Sequence, residues 1–175
     1  MGSDLGRLVV IARSIGKIFT FMFAIPVTSV HPQFDALEHV MKNLRDSAPN
    51  DRLDRVIDLV DDYGWNRGFL INVGDVKGKV VEDALQARVK AGAPVKLVVE
   101  LGTFVGYGTL RLARQLNTTQ GAELITVDPD VMAYTIASSL YEQAGVRDEI
   151  SMKTDYSYNV FQELKKQQKK IDFLF

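Results

Sequence analysis

Cysteine is absent from this chain. No disulfide and no thiolate metal site can form, which rules out a secreted disulfide scaffold. Histidine is nearly as scarce. His31 and His39 are the only two, so a His-rich metal site is excluded. Charge of one sign is also lacking: 21 basic and 22 acidic residues leave a net charge of −1. No strong field draws in a polyanion, and nucleic acid is not an expected partner. A long apolar run is missing too. The densest stretch, Ile18 to Val27, lies within Leu8 to Val30, which Arg13, Lys17 and Pro26 interrupt. It falls short of the roughly 20 residues that cross a bilayer. Arg7, Arg13 and Lys17 ahead of an apolar stretch fit a signal or signal anchor, a weak membrane-surface helix, or a leader that packs on the domain. Residues 1–32 are therefore set apart as an apolar leader or helix. A cytoplasmic protein is expected, with an N-terminal anchor or signal as the alternative.

What is present is an ordinary globular composition, 46% hydrophobic and 25% charged over 175 residues, which is enough for one domain. Residues 33–175 form that domain. Phe34 to Leu44 and Leu53 to Tyr63 carry apolar residues at helical spacing, with Ser47, Pro49 and Asn50 as punctuation. Gly64 to Gly74 reads as a loop. Val76 to Ala91 reads as a helix with Val80, Val81, Leu85 and Val89 on its buried stripe. Then strands and helices alternate: strand Lys96 to Glu100, helix Tyr107 to Leu116, strand Glu123 to Asp128, helix Val131 to Ala144 with Gly145 as C-cap, strand Glu149 to Lys153, helix Asn159 to Gln168, strand Ile171 to Phe175. This order predicts an α/β fold with a parallel sheet and right-handed crossovers. Asn117-Thr118-Thr119 fits a glycosylation sequon, a short match of little weight.

The informative stretch is Val98 to Gly108, VVELGTFVGYG, which follows a strand and opens a helix. Ligands of open α/β sheets bind at the carboxyl ends of the strands. Gly102 removes a side chain where a ligand must come close, and Gly106 and Gly108 free a helix start whose N–H groups suit an anion. Glu100 is an acceptor for an ammonium group. The next strand ends in Asp128, followed by Pro129. A carboxylate there can accept from both ribose hydroxyls, or cap the helix that starts near Val131. The glycines run G-x-x-x-G-x-G rather than G-x-G-x-x-G, and Asp128 lies 26 positions after Gly102, beyond the usual ~20 of a dinucleotide site. A phosphate loop fails as well, because the spacing Gly74 to Lys79 is one residue short and Val80 follows the lysine. S-adenosylmethionine, with one carboxylate, one ammonium and one ribose, suits Glu100, Gly102, the helix start and Asp128.

Ile71 to Lys79, INVGDVKGK, resembles the segment ahead of the first strand in catechol O-methyltransferases. The resemblance continues through VVELGTFVGYG, LITVDPD and AGVRDEI and covers roughly residues 51 to 175. It implies a Rossmann-like methyltransferase fold, S-adenosylmethionine, Mg2+, and methyl transfer to one hydroxyl of a catechol. By position, the Val73 backbone would contact the methionine part, with Asn72 and Gly74 shaping that loop. Glu100 and Gly102 would hold the amino-acid end, with Phe104 and Gly108 in the same turn. Asp128 would take the ribose, Pro129 would lie beside the adenine, and Ser157 would sit at its edge. Phe69 and Ile71 would wall the pocket of a catechol-type acceptor.

Two positions and one segment depart from the family pattern. Gly108 stands where the family has serine, Phe104 where it has tyrosine, and Asp155 to Tyr158 where it has Gly-Ala-Ser-Gln. Ile171 to Phe175 resembles the strand leading to the family's first metal-binding aspartate, which would fall just after Phe175. The expectation is thus a truncated, cofactor-binding N-terminal half with the first four strands, inactive alone, with no catalytic residue and no metal ligand. The alternatives are a non-catalytic fragment that binds S-adenosylmethionine or self-associates through an open sheet edge, and an NAD(P)-dependent oxidoreductase.

Overall fold

The computed structural model describes residues 31–44, 48, 51–116 and 121–175. The apolar leader before residue 31, the punctuation at Ser47, Pro49 and Asn50, and the Asn117-Thr118-Thr119 sequon lie outside the described residues.

Among the described residues, three helices precede the sheet: α1 (Pro32–Asn43), α2 (Arg52–Asn66) and α3 (Gly74–Lys90). The alternating part follows as β1 (Leu97–Leu101), α4 (Tyr107–Leu116), β2 (Glu123–Val127), α5 (Val131–Ala144), β3 (Ile150–Lys153), α6 (Ser157–Lys166) and β4 (Phe173–Leu174). The four strands are all parallel in the order β3-β2-β1-β4. The chain moves outward from β1 to β3, then returns to the other side of β1, so the sheet reverses direction at the β1 tip. That reversal is where α/β sheets open a crevice for ligands. Leu101 pairs with Val127, and Val127 pairs with Lys153, so the three strands end level.

Side chains alternate across β1. Val98 joins the core formed with α1, α2, α4 and α5, while Leu97 and Val99 face Val160 and Leu164 of α6. Both faces of the sheet are thereby covered, which explains the near-continuous apolar runs of the strands. Gly145 ends α5 in the left-handed conformation (φ +76°), as its sequence predicts.

Several boundaries differ from expectation. Helix α2 runs through Gly64 and Trp65 to Asn66, and α3 starts at Gly74. Helix α6 begins at Ser157 and ends at Lys166. Strand β4 is only Phe173–Leu174. Backbone bonds from Asp172 N to Leu97 O and from Phe175 N to Val99 O still carry the ladder past both of its ends. Val80 does not belong to the buried stripe of α3, being 66% exposed. The buried positions are Gly78, Glu82 and Leu85, with Val81 and Val89 only half-buried. The physical reason is the partner: at Gly78 and Glu82 the helix faces the Arg111 guanidinium of α4 rather than apolar side chains. Asp130, not Asp128, caps α5, its side chain accepting from Met132 N at 2.8 Å.

Candidate functional site

The turn after β1 is tightly folded. Gly102, Phe104 and Gly106 have φ of +93°, +48° and +83°. A non-glycine residue in this region is uncommon and needs support from its surroundings. Phe104 has it: its N–H donates to Asp128 Oδ2 at 3.0 Å, while Asp128 Oδ1 accepts from Asp130 N at 2.9 Å. One carboxylate thus joins the β1 and β2 loops. Gly106 is required on two grounds. Its φ is left-handed, and a Cβ there would run into the ring of Tyr141.

Glu100 is the last but one residue of β1 and is only 2% exposed. Its side chain lies on the face covered by α4 and α5. Oε2 accepts from the hydroxyls of Thr109 and Thr126, the latter at 2.7 Å. The chain of hydroxyls extends further. Tyr141 donates to Thr109 Oγ1 at 2.7 Å, and Thr103 and Thr126 share a bond of 2.6 Å. Burial pushes the Glu100 carboxyl up to about 7; the two threonine bonds oppose the rise and the negative charge of Asp128 adds to it. Oε1 occupies the space in which a Cβ on residue 108 would sit. Glycine at 108 and the inward carboxylate therefore belong together.

A cleft of about 550 Å3 opens beside this turn. It gathers Ile71, Asn72, Val73, Glu100, Gly102, Phe104 and Gly108 of the predicted residues, and Gly74 adjoins it at the start of α3. One wall is the 71–73 segment and α3; the other is the turn 102–105 with Tyr107 and Gly108; Phe175 also lines it. Asp128 faces a separate shallow depression with Tyr134 and Met152. Pro129 is exposed and Ser157 is half-buried at the start of α6. Phe69 is not among the lining residues, and Ile71 is 78% exposed on the rim. Asp155, not Ser157, takes hydrogen bonds at that helix start, from Tyr156 N and Asn159 Nδ2, both at 2.7 Å.

Sequence reasoning passed over the residues that brace the cleft. Arg111 grips both oxygens of Glu82 through Nε and Nη2, each at 3.0 Å. Its Nη1 donates to the Tyr107 hydroxyl (2.6 Å) and the Asp75 carbonyl (3.2 Å). Tyr107 donates onward to Asp61 Oδ1 at 2.6 Å. Arg114 joins Glu82 (2.5 Å) to Asp54 (2.8 Å). Burial pulls the Glu82 carboxyl up, but the bonds from Arg111 and Arg114 outweigh it and hold the group below its ordinary value. For Asp61, burial prevails over the Tyr107 bond and raises it. Lys77, inside the INVGDVKGK segment, and Val80, just after it, also line the cleft, and the segment was the available signal. Among the described residues, no three His, Asp or Glu side chains come together to hold a metal, and no helix is long and apolar enough to cross a membrane.

A parallel sheet that reverses at β1, a glycine-rich turn there, and an acid one residue past β2 define an α/β protein of Rossmann-like architecture. Comparison with known proteins narrows the class. A family described as O-methyltransferase matches residues 78–175, more than half of the chain. Catechol O-methyltransferase of Mus musculus is 32% identical over 132 residues, covering 74% of this chain and 45% of that protein. A probable O-methyltransferase of Mycobacterium tuberculosis is 35% identical over 98 residues, covering 56% and 39%. The O-methyltransferase from Bacillus cereus, solved in complex with SAH, superposes with a TM-score of 0.53 at 18% identity, covering 98% of this chain and 61% of that one. This chain belongs to the O-methyltransferase family. It spans less than half the length of the curated relatives named here.

Proposed function

We propose that the chain binds S-adenosylmethionine across the β1 and β2 tips and serves methyl transfer to a hydroxyl of a small, catechol-type acceptor. The observation that carries this reading is the juxtaposition of Asn72 and Val73 with Glu100, Gly102 and Gly108 in one cleft. The residues fit the group. Glu100 supplies a carboxylate at the cleft for the ammonium end, and the first turn of α4 supplies N–H groups for the carboxylate end. Asp128 retains acceptor capacity beyond its two backbone bonds and would take the ribose hydroxyls. Pro129 and Ser157 would flank the adenine. When bound, the cofactor supplies a methyl group on a positively charged sulfur. The chain's own task is alignment of that methyl with the acceptor oxygen. Ile71 and Phe69 would contribute the apolar wall on the acceptor side. No step is assigned to Mg2+, because the described residues offer no ligand set for it.

Calorimetry with S-adenosylhomocysteine tests the reading, with NAD and NADP as controls. Heat from the first and none from the others is expected; a folded chain that takes up only a dinucleotide would replace this reading with the oxidoreductase one. A second reading, a non-catalytic fragment that pairs through its sheet edge, draws on the exposure of Leu174 (52%) and Phe175 (38%) beside the open side of β4. Sedimentation of the chain at increasing concentration separates the two.

A further inference from the structure

We propose that Arg111 is a positioning residue that fixes the spacing of the two cleft walls, and so holds the methionine end of the cofactor in place without touching it. The inference rests on the cofactor reading above. Its geometric basis is that one guanidinium bonds both walls. Toward the first, Nη1 reaches the carbonyl of Asp75, two residues after Val73, and Nε and Nη2 grip Glu82 on the same helix. Toward the second, Arg111 is itself on α4, and Nη1 holds the hydroxyl of Tyr107, which lines the cleft beside Gly108. Tyr107 is anchored in turn by Asp61 of α2. A planar fork with five donors is what this requires, and a lysine ammonium has neither the reach nor the geometry to bond three partners in two directions.

Gly78 supports the assignment. A Cβ at this position would lie 2.8 Å from Arg111 Cδ and Nε and 2.9 Å from Cζ. The helix that carries the first wall is therefore seated directly on the guanidinium, with no side chain between them. Arg111 is 6% exposed and Glu82 3% exposed, so water does not substitute for either partner. A misplacement of about an ångström in a binding wall can cost about 10²-fold in the function that depends on alignment.

The test uses the full 175-residue chain, titrated with S-adenosylhomocysteine and with 5′-methylthioadenosine, which lacks the amino-acid end. Arg111→Lys should weaken the first by about ten-fold or more and leave the second within about two-fold. A merely structural role would weaken both together. Tyr107→Phe, which keeps the Arg111–Glu82 pair and removes only the oxygen between Arg111 and Asp61, should show the same selectivity to a smaller degree. It also serves if Arg111→Lys does not fold. Wild-type chain that binds neither ligand overturns the cofactor reading and this inference with it. Wild-type chain that binds both, with variants that bind both as well as it does or lose both equally, overturns this inference alone.

Discussion

The carboxylate of Asp128 at the tip of β2 accepts a hydrogen bond of 3.0 Å from the backbone N–H of Phe104 in the turn after β1. Phe104 sits there at φ +48°, so the bond supports a conformation that a bulky residue rarely adopts. Asp128 thus prepares the turn and remains available at its edge.

Replacement of Asp128 by alanine should therefore weaken S-adenosylhomocysteine binding by about 1.5–3 kcal/mol, the range for charge-assisted bonds. Asp130→Ala should do the reverse. It removes the α5 cap, costs about 1 kcal/mol of stability and leaves affinity nearly unchanged. Paired calorimetry and urea unfolding of both variants check this. Asp128→Ala retaining wild-type affinity would remove the ribose assignment.

Gly108→Ser restores the family's residue, yet it should destabilise this chain by about 1–3 kcal/mol, because Glu100 Oε1 already fills the space. In a Glu100→Asp background the shorter acid withdraws, and the added serine should cost less than it does alone. Urea unfolding of the two single variants and the double variant measures the coupling. Strict additivity would show that the two positions are independent.

Glu100 makes stability depend on pH. Burial raises the folded carboxyl from its ordinary 4.5 to about 7, so the folded chain binds more protons than the unfolded one between these values. The favourable contribution of the protonated acid is fully present below about pH 4.5 and is lost as pH rises through about 7. At roughly 1.4 kcal/mol per pH unit, the loss amounts to about 3 kcal/mol. Glu100→Gln, which keeps the shape and stays neutral, should match wild type near pH 5 and exceed it by up to that amount near pH 8. Unfolding curves at the two pH values decide it; equal differences at both would mean that Glu100 titrates normally.

Glu82→Met should destabilise the fold by about 3–5 kcal/mol, because it leaves the Arg111 guanidinium buried without its two-point partner. The double variant Glu82→Met, Arg111→Met should lose less than the sum of the single losses, since it leaves neither charge stranded. Thermal and urea melts of the set provide the measurement.

The sheet and its helices were legible because their signals are local. Short apolar runs, a glycine C-cap at Gly145 and alternating periods act within a few residues. The errors came where a partner distant in sequence decides. Val80 reads as core from its spacing on α3, but the surface that α3 meets is the polar side chain of Arg111. Glu82 and Arg111 went unremarked, since charged residues are rarely buried and nothing local indicates that they bury each other. Gly64 looked like a helix end, yet no atom crowds the position and α2 continues past it. For the site, the motif VVELGTFVGYG marks the turn after β1, and Glu100, Gly102 and Gly108 line one cleft there. That Glu100 turns inward onto Thr109 and Thr126 depends on rotamers, which no motif records.

The pairing of Glu100 with Thr126 has a consequence for how the sheet assembles. The two residues are direct partners in the β1–β2 ladder. A slip by one residue would set Ile125 or Val127 opposite Glu100, with their side chains on the opposite face of the sheet. The carboxyl would then be sealed in the core with one fewer hydroxyl, a penalty that an all-apolar pair of strands would not impose. Apart from this pair and Glu123 at the start of β2, the two strands are apolar and have little else to tell one alignment from the next. The same acid that lines the cleft thus favours one pairing of the central strands over its neighbours.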